Sequence, residues 1–522
     1  MKRACLAGIA AGALVLATAC TAAAQASVCP APRFGIEELK VGDGALDRGW
    51  IGGVSLADVD GDGDLDLYAT HGYDTSDPNA TRAPPPDRSM LYLNDGRGRF
   101  SRAADNALSN AENYASGSTF ADVDADGDLD VFLGTQLGQK DAFYRNLGGG
   151  RFERQELGEA TTTRGAAFTS TWVDMDADGD LDLHVGGPTL SMPEPTLIYR
   201  NDGGTFSRVT GLALDMGKSN AGAMLWSDLD GDGDQDVVIA ASDIARRSDI
   251  APAEREFPMV FRNDGGWRFT PLSGQAFDAF AALSGALGDI DADGDLDLFL
   301  GGWGPDTETT HDRLFRNDGA GRFSGVTAFS PGGHSDLPGG GTFADVDMDG
   351  DLDLVSAAYD RGIEVQLNDG AGNFTLLADP TLTGRVATHA ATVSGDIDGD
   401  GDPDVVIGNW GESAGGAFAL VLRNESAPCS DWAEFVVQDR AGAPNPPGAR
   451  VTLVTRGRAG ERRHLREASA QSTFRGQSAS AFLFALPKGE RVLRVEVRWP
   501  DGQTRVLRDV RRNAQTVVRA AG

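Results

Sequence analysis

Cysteine and histidine are scarce: the 522-residue chain holds 4 Cys and 6 His. Zinc and copper centres are built from those side chains, and the six histidines are dispersed, with no pair at metal-binding spacing. Most of them read as loop or packing residues. After the first 26 residues no apolar run approaches the roughly 20 residues that a membrane-spanning helix needs. Basic charge is also in short supply, with 46 Lys and Arg against 78 Asp and Glu and a net charge of −32. So acidic a chain repels a phosphate backbone, which argues against nucleic-acid binding. The exception is the last stretch, where residues 430–522 carry 17 Lys and Arg against 9 Asp and Glu. Its arginines are scattered along alternating strand-like runs, the pattern of a solvated face.

What the chain has instead is one stretch written seven times. It begins as Asp58-Val-Asp-Gly-Asp-Gly-Asp-Leu-Asp66. The first copy supplies Asp58, Asp60, Asp62, Asp64 and Asp66, and the second Asp122, Asp124, Asp126, Asp128 and Asp130. The third supplies Asp174, Asp176, Asp178, Asp180 and Asp182, and the fourth Asp228, Asp230, Asp232, Asp234 and Asp236. The fifth supplies Asp289, Asp291, Asp293, Asp295 and Asp297, and the sixth Asp345, Asp347, Asp349, Asp351 and Asp353. The seventh supplies Asp396, Asp398, Asp400, Asp402 and Asp404. Five carboxylates in nine residues repel one another unless a cation sits between them. Calcium accepts many oxygen ligands in a flexible geometry, whereas magnesium demands a tighter octahedron. The expected cofactor is therefore Ca2+, up to seven ions, with these aspartates as ligands and the seventh position adding its backbone carbonyl. Glycine at the sixth position, from Gly63 to Gly401, permits the sharp turn that returns the ninth-position Asp to the centre. A solvated acidic turn is the plain alternative, and seven repetitions of one spacing count against it. An EF-hand needs a bidentate Glu at position twelve; here that place holds Ala69, Leu133, Val185, Ile239, Leu300, Ser356 and Ile407.

The copies recur at intervals of 51 to 64 residues, a period that suggests propeller blades made of short strands. In the first six repeats a second marker follows the loop, as in Leu91-Tyr-Leu-Asn-Asp-Gly-Arg-Gly-Arg-Phe100. Asn-Asp-Gly between apolar runs signals a hairpin. Each repeat thus reads as four strands: one before the acidic loop, one after it, a third ending at the hairpin, and a fourth beginning Arg-Phe. The seventh repeat lacks its fourth strand, while Arg33-Phe34 stands near the N-terminus with no loop before it. The expected resolution is ring closure, with the strand around Phe34 completing the last blade. Cys29 and Cys429 would then meet at the seam as a disulfide. Such a bond closes a loop of about 400 residues, for which chain-entropy estimates give roughly 4–5 kcal/mol.

The N-terminus reads as a secretory signal: Lys2 and Arg3, an apolar run, then Ala24-Gln25-Ala26 as a small-residue cleavage site. The chain would then be exported, to the periplasm or the medium. Ala17-Thr18-Ala19-Cys20 is similar to a bacterial lipobox, with leucine one place early at Leu16, and leaves lipid anchoring through Cys20 as the alternative. With the first two cysteines inside the signal, Cys29 and Cys429 remain as an even pair in a compartment where disulfides persist.

Asp-x-Asp-x-Asp-Gly-x-x-Asp after a strand, repeated seven times, resembles the FG-GAP/VCBS repeats of integrin α-subunit propellers, over about residues 30–428. It departs in loading every loop with five Asp. The resemblance implies calcium binding and a seven-bladed β-propeller; it does not carry over integrin ligand binding, because the motif belongs to the metal site. After Cys429 come strand-like runs at 432–438, 449–455, 464–467, 481–486, 492–499, 503–507 and 516–519, which read as a small β-sandwich. Gly448-Ala-Arg-Val451 and Val495-Glu-Val-Arg-Trp-Pro-Asp-Gly502 resemble the ASPIC/UnbV domain, which follows FG-GAP-type repeats in the cartilage acidic protein-like family. Gln471-Ser-Thr-Phe-Arg-Gly-Gln477 departs from that domain's pattern.

The expected fold is all-β: signal peptide 1–26, seven-bladed propeller 27–430, and an ASPIC/UnbV-like β domain 431–522. The expected function is that of an exported binding, adhesion or scaffold module with structural calcium. The alternative is a propeller-based enzyme, or an accessory protein in natural-product or carbohydrate metabolism. A protein or glycan partner is expected on the face opposite the acidic loops, where the long connections carry Tyr73, Arg82, Arg246, Arg247, Trp303 and His311, with Trp410 beside them.

Overall fold

The computed structural model describes residues 30–39, 50–72, 89–110, 115–135, 139–162, 167, 169–186, 196–215, 220–242, 259–278, 280–303, 311–327, 329, 339–358, 362–384, 389–409, 419–426, 430–458, 460–479 and 482–521. Nearly all of its regular structure is strand. In the second repeat the strands Ala115–Ala121, Asp130–Thr135, Ala142–Asn146 and Phe152–Gln155 lie side by side in that order, each antiparallel to the next. The first two are buried at every position, because neighbouring sheets cover both their faces. The fourth buries its Phe152 and turns Glu153 and Arg154 to solvent.

Among the described residues seven four-stranded sheets of this kind succeed one another. The first strand of each packs against the first strand of the next. The ring returns on itself where Trp50–Ala57 meets His389–Gly395. The expected closure is present: Phe34–Leu39 pairs antiparallel with Ala419–Asn424, with Phe34 opposite Asn424 and Leu39 opposite Ala419. Cys29 and Cys429 lie outside the described residues, so the seam disulfide is not addressed by this pairing.

The core sits between sheets, not within them. Trp172 of the third sheet is 1% exposed and meets Phe132 and Phe143 of the second edge-on. The phenylalanines that open the fourth strands, such as Phe152, Phe206 and Phe323, are buried in the same seams. At the centre the strands approach closely: a Cβ on Gly222 would strike the Leu283 carbonyl of the neighbouring sheet. Single sheets of this size cannot bury both faces, so stacking supplies most of the stability.

The chain then forms a two-sheet sandwich. Asp431–Gln438 lies between Phe482–Leu486 and Gln515–Arg519, parallel to the latter. Arg450–Gly457 lies between Gly460–Glu467 and Arg491–Arg498, and Thr504–Leu507 forms the far edge. Phe435, Leu453, Phe482, Val495 and Trp499 fill the space between the two sheets.

The segment 469–479 joins these two sheets and enters the middle of the ring. Gln477 pairs with the first strand of the first sheet: its carbonyl accepts the Leu56 N–H at 2.9 Å and its N–H donates to the Val54 carbonyl at 3.3 Å. Its side-chain amide brackets Phe120 in the second sheet, accepting the N–H at 2.8 Å and donating to the carbonyl at 3.1 Å. Gln471 accepts the Met224 N–H at 3.1 Å in the fourth sheet, and Ala479 donates to the Ser394 carbonyl at 3.2 Å in the seventh. The inner strands expose one unpaired edge to the channel, and buried backbone groups must find partners. A primary amide serves both an N–H and a C=O, so glutamine does here what another strand would do.

Candidate metal centres

The acidic loops share one backbone. Glycine at the sixth position has φ between +94° at Gly401 and +113° at Gly233, outside the region that L residues occupy. The fourth position is left-handed too, at φ +57° for Ala125, +58° for Ala292 and +59° for Met348. Those values fall in the left-handed well, which non-glycine residues enter at a cost of about 1–2 kcal/mol. The two positions therefore differ in what they tolerate, and only the sixth is always glycine.

Within the first loop, Asp58 accepts the Gly61 and Gly63 amides at 2.8 and 3.0 Å, and Asp60 and Asp62 accept the amides two residues on. The ninth aspartate works differently. Asp66 Oδ2 accepts the Val59 N–H at 3.1 Å and Oδ1 the Asn94 N–H at 2.9 Å, tying the loop's entry to the hairpin of the same sheet. The same pair of bonds recurs at Asp130, Asp182, Asp236, Asp297, Asp353 and Asp404.

The donor set fits a hard cation. Carboxylate oxygens of Asp58, Asp60 and Asp62 lie within 4.8 Å of one another, as do those of Asp122, Asp124 and Asp130 and of Asp174, Asp176 and Asp182. The groups Asp228, Asp230, Asp232 and Asp289, Asp291, Asp297 do the same. Loop carboxylate oxygens are buried without a hydrogen-bond partner on Asp124, Asp176, Asp228, Asp289, Asp291, Asp398 and Asp402. All but Asp402, a seventh-position residue, belong to first or third positions. A buried carboxylate oxygen without a donor is costly, and a cation between the carboxylates supplies what is missing. Burial pushes the ninth-position carboxyls up, to about 8 for Asp66, Asp182 and Asp297 and to about 7 for Asp130, Asp236 and Asp404. A bound divalent ion would reverse this and hold them ionised.

The seventh position is set apart from the other four. Asp180 Oδ2 accepts the Gly203 N–H of the hairpin at 2.8 Å. Asp64, Asp128, Asp234, Asp295 and Asp351 likewise lie against the hairpin glycines Gly96, Gly148, Gly265, Gly319 and Gly370. In these six loops the residue after the sixth-position turn points its side chain toward the hairpin of its own sheet; Asp402 of the seventh loop differs, with Oδ1 buried and unpartnered.

Two further residue types belong to the sites and were not singled out in the sequence. Arginine at the end of strand three leans on the third-position aspartate: Arg145 on Asp124, Arg200 on Asp176 at 3.3 Å, Arg316 on Asp291 at 3.4 Å and Arg423 on Asp398 at 3.7 Å. The signal was the recurring Arg-Asn dipeptide, read only as part of a hairpin. The asparagine itself crosses between sheets. Asn146 Nδ2 donates to the Val59 carbonyl at the start of the preceding loop at 2.8 Å. Asn94, Asn263, Asn317, Asn368 and Asn424 repeat that reach, to Ile397, Met175, Leu229, Ile290 and Val346.

The residues expected on the opposite face fare unevenly. Tyr73, Arg82, Arg246, Arg247 and Trp410 lie outside the described residues. His311 is half-buried. Trp303 is corrected: its side chain is 2% exposed and packs with Leu283 and Phe474. The tip of the 469–479 segment covers it, so it is a packing residue and not a surface one. His184, also fully buried, accepts the Trp226 indole N–H at 3.3 Å, and burial pushes it down to about 3. It is a neutral core histidine. Gly411-Glu-Ser-Ala-Gly415 spells Gly-x-Ser-x-Gly and lies outside the described residues.

Comparison with known proteins agrees with this architecture. The FG-GAP-like repeat family matches residues 80–133, 122–185, 289–356 and 345–407. The loops beginning at Asp58 and Asp228 fall outside those stretches, yet their ninth aspartates make the same bonds. The ASPIC and UnbV family matches residues 441–522. Human cartilage acidic protein 1 is 25% identical over 505 residues, covering 86% of this chain and 69% of that protein. Among solved structures, an Agrocybe aegerita lectin that recognises non-reducing terminal N-acetylglucosamine is similar with a TM-score of 0.43 and 19% identity, over 61% of this chain and 77% of that one. Among the described residues no helix is long and apolar enough to cross a membrane.

Proposed function

We propose that this chain, a propeller-type protein of FG-GAP-like repeats followed by an ASPIC and UnbV domain, is an exported calcium-binding scaffold or adhesion module in which calcium is structural. The observation that carries the reading is the set of buried, unpartnered carboxylate oxygens on first- and third-position aspartates of the acidic loops. Oxygen-only ligands in a glycine-turned loop suit calcium better than any softer metal. The structural role follows from how the sites are built. Each ninth aspartate spends both oxygens on backbone amides of its own sheet, so filling a loop fixes the sheet that carries it. A cation held between the carboxylates of one loop would tie together the two strands which that loop connects. Export is supported by the charged, apolar and small-residue order of residues 2–26. We assign the propeller to residues 27–430 and the second domain to 431–522. A protein or glycan partner is assigned to the connections opposite the acidic loops.

Thermal unfolding of the mature protein, metal-free and with excess calcium, tests this. Ligands that bind only the folded state stabilise by mass action, about 2.7 kcal/mol per site at a hundred times Kd. The expected result is a large rise in Tm with calcium that magnesium does not reproduce. An unchanged Tm overturns the structural role.

A further inference from the structure

The second domain lies on the loop side of the ring, and two of the seven loops meet it differently from the others. In the loops that begin at Asp58, Asp122, Asp174, Asp345 and Asp396, the first aspartate accepts the amide of its own sixth-position glycine. In the fourth and fifth loops that bond is replaced. Asp228 Oδ2 faces Arg498 Nη1 at 2.9 Å and Arg450 Nη1 at 3.5 Å. Asp289 Oδ2 accepts the Leu465 N–H at 2.8 Å. The backbone is gripped as well: Arg450 donates to the Asp228 carbonyl, and the Arg463 N–H donates to the Ala292 carbonyl at 3.0 Å. Both aspartates are almost fully enclosed, 4% and 3% exposed. In both, the remaining oxygen, Oδ1, is buried with no partner. Each residue also contributes an oxygen to a tight carboxylate cluster, with Asp230 and Asp232 in one loop and with Asp291 and Asp297 in the other.

We propose that these two loops are composite cation sites, in which the second domain holds one oxygen of the first ligand and a hard divalent cation takes the other. Calcium occupancy of loops four and five and docking of the second domain are then one linked equilibrium. The inference rests on the calcium reading above and adds to it a specific consequence. In the other five loops the first ligand is held by its own loop; in the sixth, Arg462 of the second domain reaches the seventh-position Asp351 and not the first ligand. At Asp228 and Asp289 the rotamer that points Oδ1 inward is fixed by Arg498, Arg450 and the Leu465 amide. Undocking would free the ligand to turn away, and losing the cation would leave a buried oxygen on the docked interface unpaired. Linkage is reciprocal: whatever factor docking adds to cation affinity, the cation adds to docking.

Hydrogen exchange on the full chain tests this, with calcium alone as the probe. Wild type is compared with Asp230→Asn/Asp232→Asn, which disables the fourth loop without touching the second domain. The comparator is Asp176→Asn/Asp178→Asn in the self-contained third loop. In calcium, amides across 460–467 are expected to exchange about tenfold faster in the fourth-loop variant, within the range usual for coupled sites, and at the wild-type rate in the third-loop variant. Metal-free wild type should show the same loosening, which keeps the test decisive if a variant fails to fold. Calcium protection of the loops with no change across 460–467 overturns the composite sites and leaves structural calcium standing. Absence of protection in every loop overturns structural calcium itself. A variant Arg498→Gln that binds calcium more tightly at the fourth loop would show that arginine competes with the cation, and would also overturn the proposal.

Discussion

Replacing Gln477 by leucine isolates what the central segment does for the ring. The side chain is 8% exposed and satisfies both backbone groups that Phe120 turns toward the channel, accepting at 2.8 Å and donating at 3.1 Å. Leucine is close in size, so packing changes little. What changes is that one N–H and one C=O, both buried, lose their partners. Each such loss costs about 1–3 kcal/mol, which puts Gln477→Leu at about 2–6 kcal/mol. Gln477→Glu separates the two halves: it keeps an acceptor for the N–H but sets a carboxylate against the Phe120 carbonyl, so it should also destabilise. The assay is urea unfolding in saturating calcium, followed by tryptophan fluorescence, with exchange of the Phe120 amide as a local readout. A chain of this size need not unfold in two states, and the local readout does not depend on that. Gln477→Leu unfolding within about 0.5 kcal/mol of wild type, with Phe120 still protected, would refute the claim that the segment supplies the inner strands with their missing partner.

Asn146→Ala should cost more than Asn201→Ala. Asn146 joins two sheets through the Val59 carbonyl, whereas the bonds described for Asn201 stay within its own sheet. About 1–3 kcal/mol per broken buried bond is expected for the first, read as the difference between the two urea midpoints; equal costs would remove the inter-sheet role. The pH dependence should invert with metal. Burial holds Asp66, Asp182 and Asp297 at about 8 when folded, against an unfolded value near 4. Between those values the folded state binds more protons than the unfolded one, so metal-free stability falls as pH rises from about 4 to 8. With calcium bound, protons compete with the cation, and stability should rise over the same window. Tm measured against pH, on dialysed protein and in excess calcium, gives both slopes; a metal-free Tm that climbs from pH 5 to 8 would contradict the burial of these carboxyls.

Most of the ring was legible in the sequence because its signals are local and repeated. The nonapeptide fixes where strands one and two must meet, Asn-Asp-Gly fixes strands three and four, and the missing strand of the last repeat pointed to Phe34, which lies opposite Asn424. What stayed hidden depends on contacts between distant parts of the chain. Ala125, Ala292 and Met348 give no hint of a left-handed backbone, because the loop imposes it against their preference. The sequence could not divide the five aspartates of a loop by role, since the identical letter serves carboxylate clusters drawn from positions one, three, five and nine, two backbone amides at position nine, and in six loops a hairpin glycine at position seven. Trp303 looked like a surface anchor because its connection is long; what buries it is Phe474, 171 residues further on. The same reach explains Gln471-Ser-Thr-Phe-Arg-Gly-Gln477. Its departure from the ASPIC/UnbV pattern means that no role carries over to it from that resemblance. Yet two glutamines six residues apart are what a segment needs if it must satisfy open strand edges of different sheets around a channel. The channel is built by residues about 80 to 420 positions earlier, so no window along the sequence contains both. The ring and the second domain are therefore not a fold with an appendage. The ring's inner edge is finished by the second domain, and its fourth, fifth and sixth loops are held by it, so the docked second domain is part of the structure that calcium would stabilise.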